Sequence, residues 1–171
     1  KVGTAVAFGT ATTITFASGV SSVGSGMNGV MTLYQAETAT ISVTDQTIST
    51  TGSDRLTVVV SAAVASKLAF SGAATSTAGV NSSSVTVTMQ DPFGNAATRS
   101  GAVAVTPSSS SSSAGATKAF KTTDGTTASS FTITAGSSTV SLLYYDELAG
   151  TFNITTTNDA LMGQLRLAEV E

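Results

Sequence analysis

Seven stretches of this chain set larger apolar residues alternately with Thr, Ser, Asn or Ala, close to a period of two. They include Thr13-Ile14-Thr15-Phe16, Thr40-Ile41-Ser42-Val43-Thr44, Leu56-Thr57-Val58-Val59-Val60 and Val85-Thr86-Val87-Thr88-Met89. Val103-Ala104-Val105, Phe131-Thr132-Ile133-Thr134 and Phe152-Asn153-Ile154-Thr155 complete the set. Such alternation puts apolar side chains on one face of a strand and hydroxyls or amides on the other. Turn-forming pairs separate the runs, among them Ser18-Gly19, Asn28-Gly29, Gly94-Asn95 and Asp124-Gly125. No window has a convincing helical period. Strands with one wet face need a second sheet over the dry one, so the pattern predicts an all-β sandwich.

An internal repeat sets the expected organisation. Met31-Thr32-Leu33-Tyr34 and Ala39-Thr40-Ile41-Ser42-Val43-Thr44 recur 111 positions later as Leu142-Leu143-Tyr144-Tyr145 and Gly150-Thr151-Phe152-Asn153-Ile154-Thr155. Leu56-Thr57-Val58 recurs as Leu165-Arg166-Leu167. The second copy has a block in front, from Lys67 to Arg99, that the first lacks. Residues 66–171 are therefore expected to form one complete repeat, and 1–62 the closing part of another without its opening strands. Residues 61–65 link the two, and so short a linker predicts end-to-end stacking.

The second copy resembles the immunoglobulin-like repeats of bacterial and archaeal surface proteins, the invasin and intimin type included. The resemblance is carried by Lys67-Leu68-Ala69-Phe70, by Val85-Thr86-Val87-Thr88-Met89-Gln90-Asp91-Pro92-Phe93-Gly94-Asn95, and by Tyr145 with Ala149-Gly150-Thr151-Phe152-Asn153-Ile154-Thr155. It implies tandem immunoglobulin-like sandwiches, the first incomplete, serving as spacer, stalk, surface-layer subunit or adhesin. It brings no catalytic residue and no cofactor.

Charge and composition bear on the partner classes. Charged residues are 10% of the chain, against about 25% in ordinary domains. A hydroxyl-rich, charge-poor surface suits a secreted or surface-displayed protein. The net charge is −3 and the seven Lys and Arg are scattered, which argues against nucleic acid. No apolar run reaches the ~20 residues of a membrane span. His and Cys are both absent, removing the commonest general base and any thiolate site.

Asp91, Gly94 and Asn95 are expected to form a turn, with Asp91 accepting backbone N–H groups and Gly94-Asn95 in left-handed conformations. Asp146-Glu147, Glu37 with Asp45, and Asp159 read as solvated turn carboxylates, and the serines after Pro107 as a surface loop. Asn81-Ser82-Ser83 and Asn153-Ile154-Thr155 fit the N-glycosylation acceptor pattern. Of Tyr144 and Tyr145, one should pack inward while the other faces solvent or a ligand. In the incomplete repeat Ile14, Phe16, Ile41 and Val43 would lack cover and form an assembly surface. Either the chain is a piece of a longer protein, or a neighbour's strand fills the gap. The leading expectation is a non-catalytic module of a fibre, surface layer or stalk that self-associates. The alternative is a glycan- or protein-binding module of an adhesin.

Overall fold

The computed structural model describes residues 7, 10, 14–21, 31–72, 75–114, 117–158 and 161–170, with backbone alone for 161–170. The chain divides into two compact units, Lys1–Tyr34 and Gln35–Glu171. In the first, β1 (Phe16–Ala17) and β2 (Val20–Ser21) form a small antiparallel hairpin. Its two-residue turn has positive φ at both Ser18 (52°) and Gly19 (81°), the tight geometry whose twist matches the flanking strands. Asn28-Gly29 lies outside the described residues.

The second unit begins with a hairpin of β3 (Glu37–Ile41) and β4 (Leu56–Val60), in which Ile41 stands opposite Leu56. Beyond it lie β5 (Lys67–Gly72), β6 (Thr75–Thr77), β7 (Val85–Gln90), β8 (Val103–Ser109) and β9 (Lys118–Lys121). β10 (Phe131–Ile133), β11 (Thr139–Asp146), β12 (Thr151–Asn158) and β13 (Leu161–Val170) follow. One sheet has the order β5-β7-β11-β9, and the other β10-β8-β12-β13-β6. Lettered in the usual way, these are A-B-E-D and C-F-G, with β10 added at the C edge and β6 at the G edge. The fold is an immunoglobulin-like β-sandwich.

Parity builds the core. Val85, Val87 and Met89 of β7, Val103 and Val105 of β8, Phe131 and Ile133 of β10, and Leu142 of β11 form one buried cluster with Leu68. Tyr144 and Ile154 continue it, with Phe70 and Phe120 packed on both groups. The Phe120 and Tyr144 rings meet at 5.2 Å, tilted by 43°, a favourable aromatic geometry. Each of these strands presents alternate residues inward, as the sequence pattern predicts.

The registers also set the polarity of the module. Lys67 at the start of β5 pairs with Gln90, and Ala168 near the end of β13 pairs with Thr151. β7 and β11 are antiparallel, with Thr139 against Thr88 and Leu142 against Val85. The chain therefore joins the sandwich at the pole of Asp91 and leaves it at the opposite pole, beside Asp146 and Thr151.

Two expectations from the sequence change. Ile41 faces Leu56 and Ile154 faces Leu165, so matching Leu56 to Leu165 matches Ile41 to Ile154, which also sets Ala36 and Thr38 on Ala149 and Thr151. Ile154 follows Ile41 by 113 positions, not 111, so Ala36 corresponds to Ala149. A slip of two keeps every side chain on its face, which is why hydrophobic alternation alone cannot detect it. The serines after Pro107 are not a loop throughout: β8 runs to Ser109, pairing Ser108 and Ser109 with β12, and Ser111 is buried.

Candidate functional site

β7 places Val85, Val87 and Met89 inward, and Asp91 takes the next inward position just past the strand end, with no exposed surface. An unpaired carboxylate there would be costly, so its hydrogen bonds decide whether the arrangement holds. Asp91 Oδ1 accepts the N–H groups of Phe93 and Asn95, both at 2.9 Å. Oδ2 accepts the Asn95 Nδ2 amide at 2.8 Å and the Ala63 N–H at 3.0 Å. Gly94, at φ 94°, makes the turn possible and donates to the Asp91 carbonyl. Asn95 is not left-handed as expected. Its contribution is its side chain, whose Oδ1 accepts the Ala36 N–H at 2.8 Å.

Ala36 immediately precedes β3, and Ala63 lies three residues beyond β4. The turn at 91–95 thus grips both ends of the preceding hairpin where they meet the sandwich pole. The segment between them is held too. Ser66 N–H donates to the Gln90 carbonyl at 2.8 Å, Ala65 is buried, and Ala62 packs on the core. This is a joint with three hydrogen-bonded anchor points along residues 36–66, at Ala36, Ala63 and Ser66.

Burial pushes the Asp91 carboxyl up, but the Asn95 amide and the N–H groups of Ala63, Asn95 and Phe93 together outweigh it. They hold it at about 2.

β11 repeats the device at the opposite pole. Leu142, Tyr144 and Asp146 point inward, and Asp146 is fully buried, not in a solvated turn as the sequence suggests. Its carboxylate accepts the Tyr144 hydroxyl at 2.5 Å and the Leu148 N–H at 3.0 Å, and also the Ser113 hydroxyl. Ser109 Oγ meets Tyr144 Oη at 2.7 Å, and Lys118 Nζ donates to the Ser111 carbonyl. Burial raises the Asp146 carboxyl, while the hydroxyls of Ser111, Ser113 and Tyr144 and the Leu148 N–H bring it below its usual range. Burial, then the neighbouring Asp146, pushes the Tyr144 phenol well up. The serines that line this cluster read from sequence only as low complexity. The signal available was the parity of Leu142, Tyr144 and Asp146.

Both carboxyls sit below their ordinary value, so each contributes stability that is complete above the unfolded pKa of about 3.9 and is lost as pH falls below it. Thermal unfolding followed by circular dichroism should therefore give a Tm that is level from about pH 7 to 5 and falls steadily from about pH 4 toward 2. A level Tm across the acid range would contradict this assignment.

The remaining sequence candidates are scattered. Tyr144 is 1% exposed, so of the aromatic pair only Tyr145 reaches the surface. Lys121 Nζ lies 4.2 Å from the Tyr145 ring centroid and donates to Asn81 Oδ1 at 2.9 Å, which brings Asn81 and Tyr145 onto one outer face. Tyr145 Oη donates to Glu147 Oε1 at 2.9 Å. Asn81 and Asn153 are both exposed, and Asn153 N–H donates to Ser110 Oγ. Ile14 and Phe16 belong to the first unit, Ile41 and Val43 to the second. Phe16 is 63% and Val43 58% exposed, while Ile14 and Ile41 are half-buried.

No protein-family model matches the chain, and no curated protein matches its sequence. Among solved structures it is similar to a glycosyl hydrolase family 2 member from Bacteroides cellulosilyticus, at 16% identity over 68% of this chain and a TM-score of 0.50. The likeness is one of fold. The chain spans only 16% of that hydrolase's length. Domains 4 and 5 of the S-layer protein SbsC match over 80% of this chain and 59% of theirs, at 18% identity and a TM-score of 0.43. The D00-D0 domain of intimin matches over 68% of this chain and 55% of its own, at 16% identity and 0.42. At those scores neither adds to the fold argument.

Proposed function

We propose that the chain is a non-catalytic structural module of an extracellular or cell-surface assembly, built from immunoglobulin-like repeats laid end to end. The single observation that carries this reading is the joint at Asp91 and Asn95. It spends a buried carboxylate and a carboxamide on anchoring the preceding hairpin, which is what a repeat needs to transmit orientation to its neighbour. The position of the chain's two connections at opposite poles supports the same reading, as does the charge-poor, hydroxyl-rich composition. The hydrolase likeness extends over a small part of that enzyme, and we read it as likeness to a supporting sandwich there.

In this reading β3 and β4 are the F and G strands of an earlier repeat, residues 1–62 its closing part and 66–171 the complete repeat. Val43, Ile48, Leu56 and Val59 of this hairpin region are 58%, 73%, 53% and 73% exposed. Strand complementation, from a preceding segment or a neighbouring copy, would cover them. Immunogold electron microscopy of unfixed source cells, with antibody to this chain, tests the proposal. Label outside the cell at a regular spacing is expected; label confined to the interior would overturn it.

A further inference from the structure

The pole at which the sandwich ends has the same backbone design as the hairpin end that the 91–95 turn grips. Ile41 faces Leu56 as Ile154 faces Leu165, and with these identical pairs matched Thr38 falls on Thr151, Ala36 on Ala149 and Gln35 on Leu148. The Ala36 N–H is held by Asn95 Oδ1 at 2.8 Å. No acceptor among the described residues takes the Ala149 N–H, although its neighbours are satisfied: Glu147 N–H bonds the Thr117 carbonyl and Leu148 N–H bonds Asp146. Leu148 beside it is 41% exposed. The turn from 146 to 150 that carries Ala149 is itself anchored from within, through the Asp146 cluster, and so offers a fixed donor.

We propose that this pole is the seat for the Asp-x-x-Gly-Asn turn of a following sandwich, whose Asn carboxamide accepts the Ala149 N–H as Asn95 accepts that of Ala36. The occupant is defined by its chemistry: a second module with an inward carboxylate and an adjacent carboxamide at the pole through which its chain arrives. That module's carboxylate takes the amide seven residues beyond Leu165, as Asp91 takes Ala63, seven beyond Leu56. The inference rests on the reading of 91–95 as a joint and names the partner surface that the joint requires at the other end.

A fused chain tests it: the 171 residues followed directly by a second copy of residues 63–171, which puts the new Ala63 seven positions after Leu165. With the first 171 residues segmentally isotope-labelled, amide hydrogen exchange at Ala149 is compared with that in the unfused chain. The proposal expects Ala149 to exchange more slowly by roughly tenfold or more in the fusion. It also expects the effect to disappear when Asn95 of the added copy alone is changed to Ala. Equal exchange at Ala149 with Ala36 still protected would overturn the seat and leave the joint standing. An unprotected Ala36 in the unfused chain would overturn the joint itself. Exchange at Met89 of the added copy, labelled in a second sample, reports its folding; a copy that stays unfolded behind β13 also contradicts the proposal.

Discussion

Asp91→Ala is expected to separate the unfolding of the β3–β4 hairpin from that of the sandwich. The change removes the acceptor of four hydrogen bonds, from Ala63, Phe93, Asn95 N–H and the Asn95 side chain. Their donors are left at a pole where the carboxylate had no exposed surface, and buried donors without partners are destabilising. The turn at 91–95 loses its shape, Asn95 loses the bond that aims Oδ1 at Ala36, and residues 61–66 lose their tether at Ala63. The change removes none of the apolar packing of Val85, Val87 and Met89 along β7, and the sandwich survives. Limited proteolysis should then cut within 61–66 at least about tenfold faster than in the unchanged chain, through local opening of a segment formerly held. The released sandwich should remain resistant. Asp91→Asn is the informative companion. It keeps the shape and one acceptor oxygen but substitutes donors for the other, and so should fall between the two. Cleavage of Asp91→Ala at the unchanged rate would show that the carboxylate does not hold the joint.

Tyr144→Ala should be the most damaging single change in the sandwich. Tyr144 is 1% exposed, packs on Phe120, Phe70 and Ile154, and its hydroxyl binds both Asp146 and Ser109. Large aromatic-to-Ala changes in cores cost about 3–5 kcal/mol, from lost burial plus the cavity left behind. Here the Asp146 carboxylate also loses a donor while remaining buried. Tyr144→Phe isolates that second part. It keeps the ring and removes the hydroxyl, and should cost about 1–3 kcal/mol. Denaturant unfolding checks both, and the order Ala much worse than Phe is the essential result. Equal stabilities of Tyr144→Phe and the original would mean that the hydroxyl contributes nothing to holding Asp146.

Much of the architecture was legible in the residues because a strand with one buried face must alternate. Val85-Val87-Met89 and Leu142-Tyr144 point inward with a period of two; the alternation required one of Tyr144 and Tyr145 to be buried, and the structure shows that it is Tyr144. Asp91 was recognisable as a turn carboxylate that collects N–H groups. That one of these belongs to Ala63, 28 positions earlier, depends on how the linker folds back, and no local pattern records it. Asp146 was misread because an acidic residue beside Glu147 and Gly150 resembles a solvated turn. Extending the parity of β11 by one more step places it inside. The serines at 109, 111 and 113 act through their tertiary neighbours, so composition alone showed a low-complexity run. β6 escaped notice because Thr75-Ser76-Thr77 has no apolar residue, and its place beside β13 is a parallel pairing between distant segments.

Amide hydrogen exchange in the unchanged chain, followed residue by residue, tests the joint most directly. If the 91–95 turn clamps the two modules, the Ala36 and Ala63 amides, though outside any strand, will exchange as slowly as amides in the β3–β4 ladder. Exchange at both positions at the rate of an open coil, beside protected ladder amides, would contradict it.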